Sequence, residues 1–112
     1  MKSFYTNGTI LTMEDDALYA EAVCVENGRI KAVGTAGDVL KLREDADEMI
    51  DLNGAVLMPG FIDAHTHMAL EVSGTITADK FETGTKAEIS GGTTCIIDFA
   101  TQEKGETLKQ AL

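Results

Sequence analysis

The chain has 112 residues, with 19 acidic against 9 basic side chains and a formal net charge of −10. Nothing in that balance would neutralise phosphates, which excludes a nucleic-acid partner, and it equally disfavours an anionic membrane surface. No apolar run reaches the roughly 20 residues of a membrane span, and positions 1 to 30 hold no signal-peptide pattern.

The first part of the chain is rhythmic. Asn-Gly occurs at Asn7-Gly8, Asn27-Gly28 and Asn53-Gly54, each time between β-type segments. Both residues of such a pair tolerate positive φ, so the spacing predicts three hairpins with type I′ turns. They would join Ser3–Thr6 to Thr9–Met13, Ala22–Glu26 to Arg29–Val33, and Met49–Leu52 to Ala55–Met58. Glu14-Asp15-Asp16 is a polar connection. Val39, Leu40 and Leu42 predict a short helix with Asp38 as its N-cap. The acids Glu44, Asp45, Asp47 and Glu48 read as a solvated loop or helix end. Hairpins must bury a second face, so residues 1–58 predict part of a small β-sandwich with open strand edges.

Pro59-Gly60 is punctuation, and the domain boundary is expected there. Beyond it the order changes to strand, loop, helix, strand, helix. Phe61 to His67 is the first strand and Met68 to Ala78 a loop. A helix over Lys80 to Ser90 would be capped by Asp79 with Glu82 at N3, and stopped by Gly91-Gly92. Thr93 to Phe99 is β-branched and apolar almost without alternation, as in a parallel strand buried on both faces. Together these make a βαβ unit. Glu106 to Leu112 begins a further helix with no stop signal, so the chain is expected to be the N-terminal piece of a longer protein. Cys24 and Cys95 are too few for a disulfide framework. Both lie in strand-like runs and are expected as buried reduced thiols of a cytoplasmic protein.

The two histidines, His65 and His67, are two residues apart. Alternate residues of a strand share a face, so both imidazoles would project side by side, as two ligands of one metal ion must. A bare His-x-His is common by chance. Here it stands at the C-terminal end of an apolar strand, where α/β barrels place their chemistry, with Asp63 two residues upstream on the same face. Asp63 is read either as a carboxylate orienting the site or as one satisfied by backbone. Asp98, at the end of the next strand, is read as a capping or salt-bridging group rather than a catalytic one.

Pro59-Gly60-Phe61-Ile62-Asp63-Ala64-His65-Thr66-His67 resembles the first-strand motif of the amidohydrolase superfamily of metal-dependent hydrolases. Gly74-Thr75-Ile76-Thr77-Ala78-Asp79-Lys80-Phe81-Glu82-Thr83-Gly84-Thr85-Lys86-Ala87, then Gly91-Gly92-Thr93-Thr94-Cys95-Ile96-Ile97-Asp98-Phe99, is similar to the dihydropyrimidinase/hydantoinase branch. The resemblance covers nearly the whole chain. It implies an α/β fold: a partial β-sandwich of hairpins over 1–58, then over 59–112 the opening βαβα of a (β/α)8 TIM-type barrel. A complete barrel takes about 250 residues, so this one would be incomplete. The resemblance further implies a binuclear site holding a divalent metal of the zinc type, with His65 and His67 among its ligands. It implies a homo-oligomer acting on a small cyclic amide of the dihydropyrimidine or hydantoin kind, with metal-activated hydroxide attacking the carbonyl. In that branch the loop after the second histidine shapes the substrate pocket and usually carries a Met-Pro-Phe-like stretch. This chain reads Ala69-Leu70-Glu71-Val72-Ser73 instead. The alternatives are an amidohydrolase of linear amides, imines or esters, and a non-catalytic assembly or interaction module on the same fold.

Overall fold

The computed structural model describes residues 1–111, and the chain divides into two compact units, Met1–Pro59 and Gly60–Leu112. Among the described residues no helix is long and apolar enough to cross a membrane. The architecture is mixed α/β and rich in small sheets.

The first unit contains β1 (Lys2–Thr6), β2 (Thr9–Leu11), β3 (Tyr19–Ala20), β4 (Ala22–Glu26), β5 (Arg29–Gly34), α1 (Ala36–Val39), a 3₁₀ turn (Leu40–Leu42), β6 (Glu48–Asp51) and β7 (Val56–Leu57). A four-stranded sheet runs β5-β4-β1-β6 and a three-stranded one β3-β2-β7. Phe4 of β1 lies opposite Cys24 of β4, and these two side chains are fully buried with Ala22 and Val39 at the centre of the unit. Helix α1 closes that cluster. Its N-cap is Thr35 rather than the expected Asp38: the Thr35 hydroxyl accepts from the Asp38 backbone N–H and donates to its carboxylate.

Only the middle Asn-Gly pair makes the expected hairpin. Asn27 and Gly28 have φ of 52° and 72°, and β4 pairs antiparallel with β5. The flanking pairs do something else. β1 leaves β2 for β4 and β6, while β7 leaves β6 for β2. Asn7-Gly8 and Asn53-Gly54 are therefore corners between two sheets, lying side by side. Leu52 N–H donates to Thr6 O at 2.8 Å, Gly54 N–H to Asn7 O at 2.7 Å and Thr9 N–H to Ala55 O at 3.1 Å. Gly8 is needed for closeness rather than for φ, because a Cβ there would sit 2.4 Å from Ala55 O. Local turn chemistry is present, but pairing between distant strands overrides the hairpin it suggests.

The acidic stretch is not all solvated. Asp47 is buried, and its carboxylate accepts from the Lys2 backbone N–H at 2.8 Å, the Lys2 ammonium at 2.9 Å and the Glu44 N–H at 2.9 Å. These bonds hold the Asp47 carboxyl well below the usual carboxylate range, and the same contact raises Lys2. Lys2, at the first strand's start, is thereby tied to the entry of β6.

The second unit contains β8 (Phe61–Thr66), β9 (Glu71–Val72), β10 (Thr75–Ile76), α2 (Phe81–Ser90), β11 (Thr93–Asp98) and α3 (Leu108–Ala111). β8 and β11 pair in parallel on either side of α2, which is the expected βαβ order. The helix starts one residue later than expected. Lys80 is its N-cap, and the Thr83 hydroxyl, not Glu82, accepts the Lys80 backbone N–H at 3.0 Å. Gly91-Gly92 ends it, with Gly92 at φ 94°. The segment expected as plain loop holds a two-residue hairpin, turned by Ser73 and Gly74 at φ 52° and 80°. β11 is not buried on both faces, and Cys95 is exposed, because a two-stranded sheet with one helix can cover only one side. Of the helix expected over Glu106 to Leu112, residues 108 to 111 are helical; Leu112 lies outside the described residues.

Candidate metal centre

Strand β8 delivers the histidines. His65 is its penultimate residue and His67 stands one beyond its end. Their Nε2 atoms approach to 3.1 Å, and the rings meet edge-on with centroids 5.0 Å apart. Both side chains are exposed.

Three backbone anchors hold this strand end. The Asp63 carboxylate accepts the His65 N–H at 3.0 Å. Buried Thr66 donates its hydroxyl to Ile97 O of β11 at 3.3 Å. The Asp98 carboxylate accepts the Met68 N–H at 3.2 Å with one oxygen and its neighbour Phe99's N–H at 2.7 Å with the other. Asp98 thus caps the strand end, by bridging the segments that leave β8 and β11. Phe61 lies at the far end of β8, where its ring comes within 3.6 Å of a Cβ built at Gly92.

One site residue went unread in the sequence. The ring of Phe99 lies 4.7 Å, centroid to centroid, from both His65 and His67, tilted 54° to the first and 26° to the second. Its only sequence signal is an aromatic directly after the last strand residue. Phe99 also lines a pocket of about 400 Å³ with Met68, Leu70, Glu71, Phe81 and Glu103. The β9–β10 hairpin supplies one wall, and Glu71 is on it.

The imidazole pair fits a metal ion. Zinc binds histidine nitrogen at about 2.0–2.1 Å, so two nitrogens 3.1 Å apart can both reach one ion at an angle between a right angle and the tetrahedral one. Each ring nitrogen facing the gap must be the unprotonated one when the ion is bound, which puts the remaining proton on Nδ1. Among the described residues no third His, Cys, Asp or Glu joins them. A catalytic metal usually has three protein ligands, so two imidazoles alone would not complete such a site.

Known proteins are similar to this chain along its whole length. The profile described as the amidohydrolase family matches residues 48–104. The chain is 42% identical over 112 residues to the D-hydantoinase of Geobacillus stearothermophilus, covering 100% of this chain and 22% of that protein. It is 38% identical over 105 residues to the dihydropyrimidinase of Dictyostelium discoideum, covering 94% and 20%. Among solved structures, a dihydropyrimidinase from Brevibacillus agri superposes with a TM-score of 0.82 at 41% identity, covering 99% of this chain and 23% of that one. A D-hydantoinase gives 0.81 at 42%, covering 99% and 23%. The chain spans about a fifth of the length of the curated relatives it matches.

Proposed function

The chain belongs to the amidohydrolase family, and from that premise we propose that it carries the first two metal ligands, His65 and His67, of a hydrolase that opens cyclic amides of the hydantoin or dihydropyrimidine type. The observation that carries the reading is the convergence of the two Nε2 atoms to 3.1 Å. The similarity to a D-hydantoinase and a dihydropyrimidinase supports the substrate class. On this reading residues 1–58 form part of a small β-sandwich and 59–112 open a TIM-type barrel, whose later strands complete the ligand set.

A divalent ion of the zinc type, bound there, supplies Lewis-acid polarisation of a carbonyl and a lowered pKa for bound water. The chain's own residues do the positioning. His65 and His67 present lone pairs to one point. Asp63 holds the main chain of His65, which sets where that ring starts. Asp98 fixes the chain immediately after His67. The pocket lined by Leu70, Glu71 and Phe81 adjoins Phe99 and offers a space of mixed polar and apolar lining for a ring substituent.

The test is made on the whole protein. Metal content and ring-opening of hydantoin and dihydrouracil are measured with and without the paired change His65→Ala/His67→Ala. The variant is expected to lose bound metal and turnover together. Undiminished metal content in the variant would remove the histidines from the site. Full metal with no cyclic amide turned over would leave the site and refute the substrate.

A further inference from the structure

A histidine that binds a metal is normally oriented through its other ring nitrogen, which donates to a carboxylate or carbonyl. Here, among the described residues, neither His65 nor His67 makes such a bond; the one ring contact of hydrogen-bond length is between the two Nε2 atoms. What touches both rings is Phe99. Its centroid is 4.7 Å from each, inside the 4.5–7 Å range of favourable aromatic pairs. We propose that Phe99 is a positioning residue for the metal ligands: its ring stacks against both imidazoles and holds their Nε2 atoms converged before any ion arrives.

The geometry suits that role. A ring lying nearly parallel to His67 blocks rotation of that imidazole about χ2, and the more steeply tilted contact wedges His65 from the same side. Phe99 is itself held. Its backbone N–H is fixed at 2.7 Å by Asp98, whose other oxygen takes the Met68 N–H. One carboxylate therefore sets both the platform and the main chain that follows His67. His67 and Phe99 are 32 positions apart in the chain, yet the parallel pairing of β8 with β11, which sets Asp98 beside Thr66, brings them together. Preorganisation of this kind matters because two free imidazoles must otherwise be ordered at the moment of binding.

The ring is about half exposed, at 54%, so removing it opens no core cavity and the fold should survive. The inference rests on His65 and His67 being metal ligands, and the experiment separates the two ideas. Cobalt(II) is titrated into the 112-residue chain and into Phe99→Ala, Phe99→Leu, Phe99→Tyr and His65→Ala/His67→Ala, following the visible d–d absorption and the affinity. Histidine ring proton shifts are read by NMR without metal. Phe99→Ala should weaken cobalt binding about tenfold, the lower end of what loss of an orienting partner costs. It should also alter the absorption band and erase the ring-current shifts on both histidines. Phe99→Tyr should restore all three, and Phe99→Leu should not. Cobalt bound by Phe99→Ala or Phe99→Leu with the wild-type affinity and spectrum, while the double histidine variant binds none, overturns this inference alone. Cobalt retained by the double histidine variant overturns the metal reading and this inference with it.

Discussion

Gly60 is where a single methyl group should be felt most. It stands at the entry to β8, and a Cβ built there would lie 2.1 Å from Thr94 Oγ1, 2.3 Å from its Cγ2 and 2.7 Å from its Cβ. Carbon atoms in contact prefer about 3.5–4.0 Å, so more than an ångström is missing. Threonine has a stiff χ1, and no rotation of it moves its own Cβ. The backbone must therefore shift. Thr94 occupies the irregularity between Thr93 and Cys95 in the pairing of β11 with β8, so the shift would act on the register of the strand bearing both histidines. Overpacking costs about 1–3 kcal/mol, and alanine recovers about 0.4–1 kcal/mol by restricting the unfolded chain. Gly60→Ala should then destabilise the second unit by about 1–2 kcal/mol. At roughly 4–8 °C per kcal/mol for a small domain, its melting should fall by about 5–15 °C. Amide signals of residues beyond Gly60, followed by NMR on heating, report that unit separately. Removing the obstacle with Thr94→Gly should make the double variant more stable than the sum of the single effects. Full stability in Gly60→Ala, or additivity within about 0.5 kcal/mol, would refute the clash.

Phe4→Ala should cost the first unit about 3–5 kcal/mol, because Phe4 is fully buried against Cys24, Ala22 and Val39. Tyrosine fluorescence in urea reads this unit alone, since Tyr5 and Tyr19 both lie in it and the chain has no tryptophan; an unchanged midpoint would contradict the packing. Asp47 has a folded pKa below its unfolded value of about 3.9, so its contribution is complete above that pH and is lost as the pH falls toward the folded value. Melting of the first unit should accordingly drop below about pH 4, and Asp47→Asn should flatten that acid limb. Lys2 is shifted upward, so its share is present below about pH 10.4 and is lost as the pH rises past it; an acid limb unaltered by Asp47→Asn would rule out the linkage.

The histidine pair was legible because strand alternation is local: two residues apart is one face whatever the tertiary structure. The βαβ order was legible for a similar reason, since Gly91-Gly92 stops one period and Thr93 begins another. The Asn-Gly pairs show where local rules end. The same dipeptide closes a hairpin at Asn27-Gly28 and turns a corner at Asn7-Gly8 and Asn53-Gly54, and the choice is made by which strand lies alongside. Nothing within five residues of Asn7 encodes Leu52. Phe99 and the Lys2–Asp47 pair were hidden likewise, their partners being 32 and 45 residues away. Gly60 looked like punctuation, and its actual constraint comes from Thr94.

The acidic excess takes on a physical meaning once the bonds are followed. Asp47 accepts two backbone N–H groups, Asp98 two, Asp51 that of Asn53 and Asp63 that of His65. A carboxylate accepting from the main chain substitutes for a missing ladder bond, and it does so where strands end or turn. These aspartates therefore hold backbone in place before they could do chemistry. Lone pairs aimed at open space come instead from the imidazoles, kept converged by Phe99 on one side and by carboxylate-bound backbone on the other. The division is between side chains that fix the strand end and side chains that present nitrogen, and the proposed metal site rests on that division.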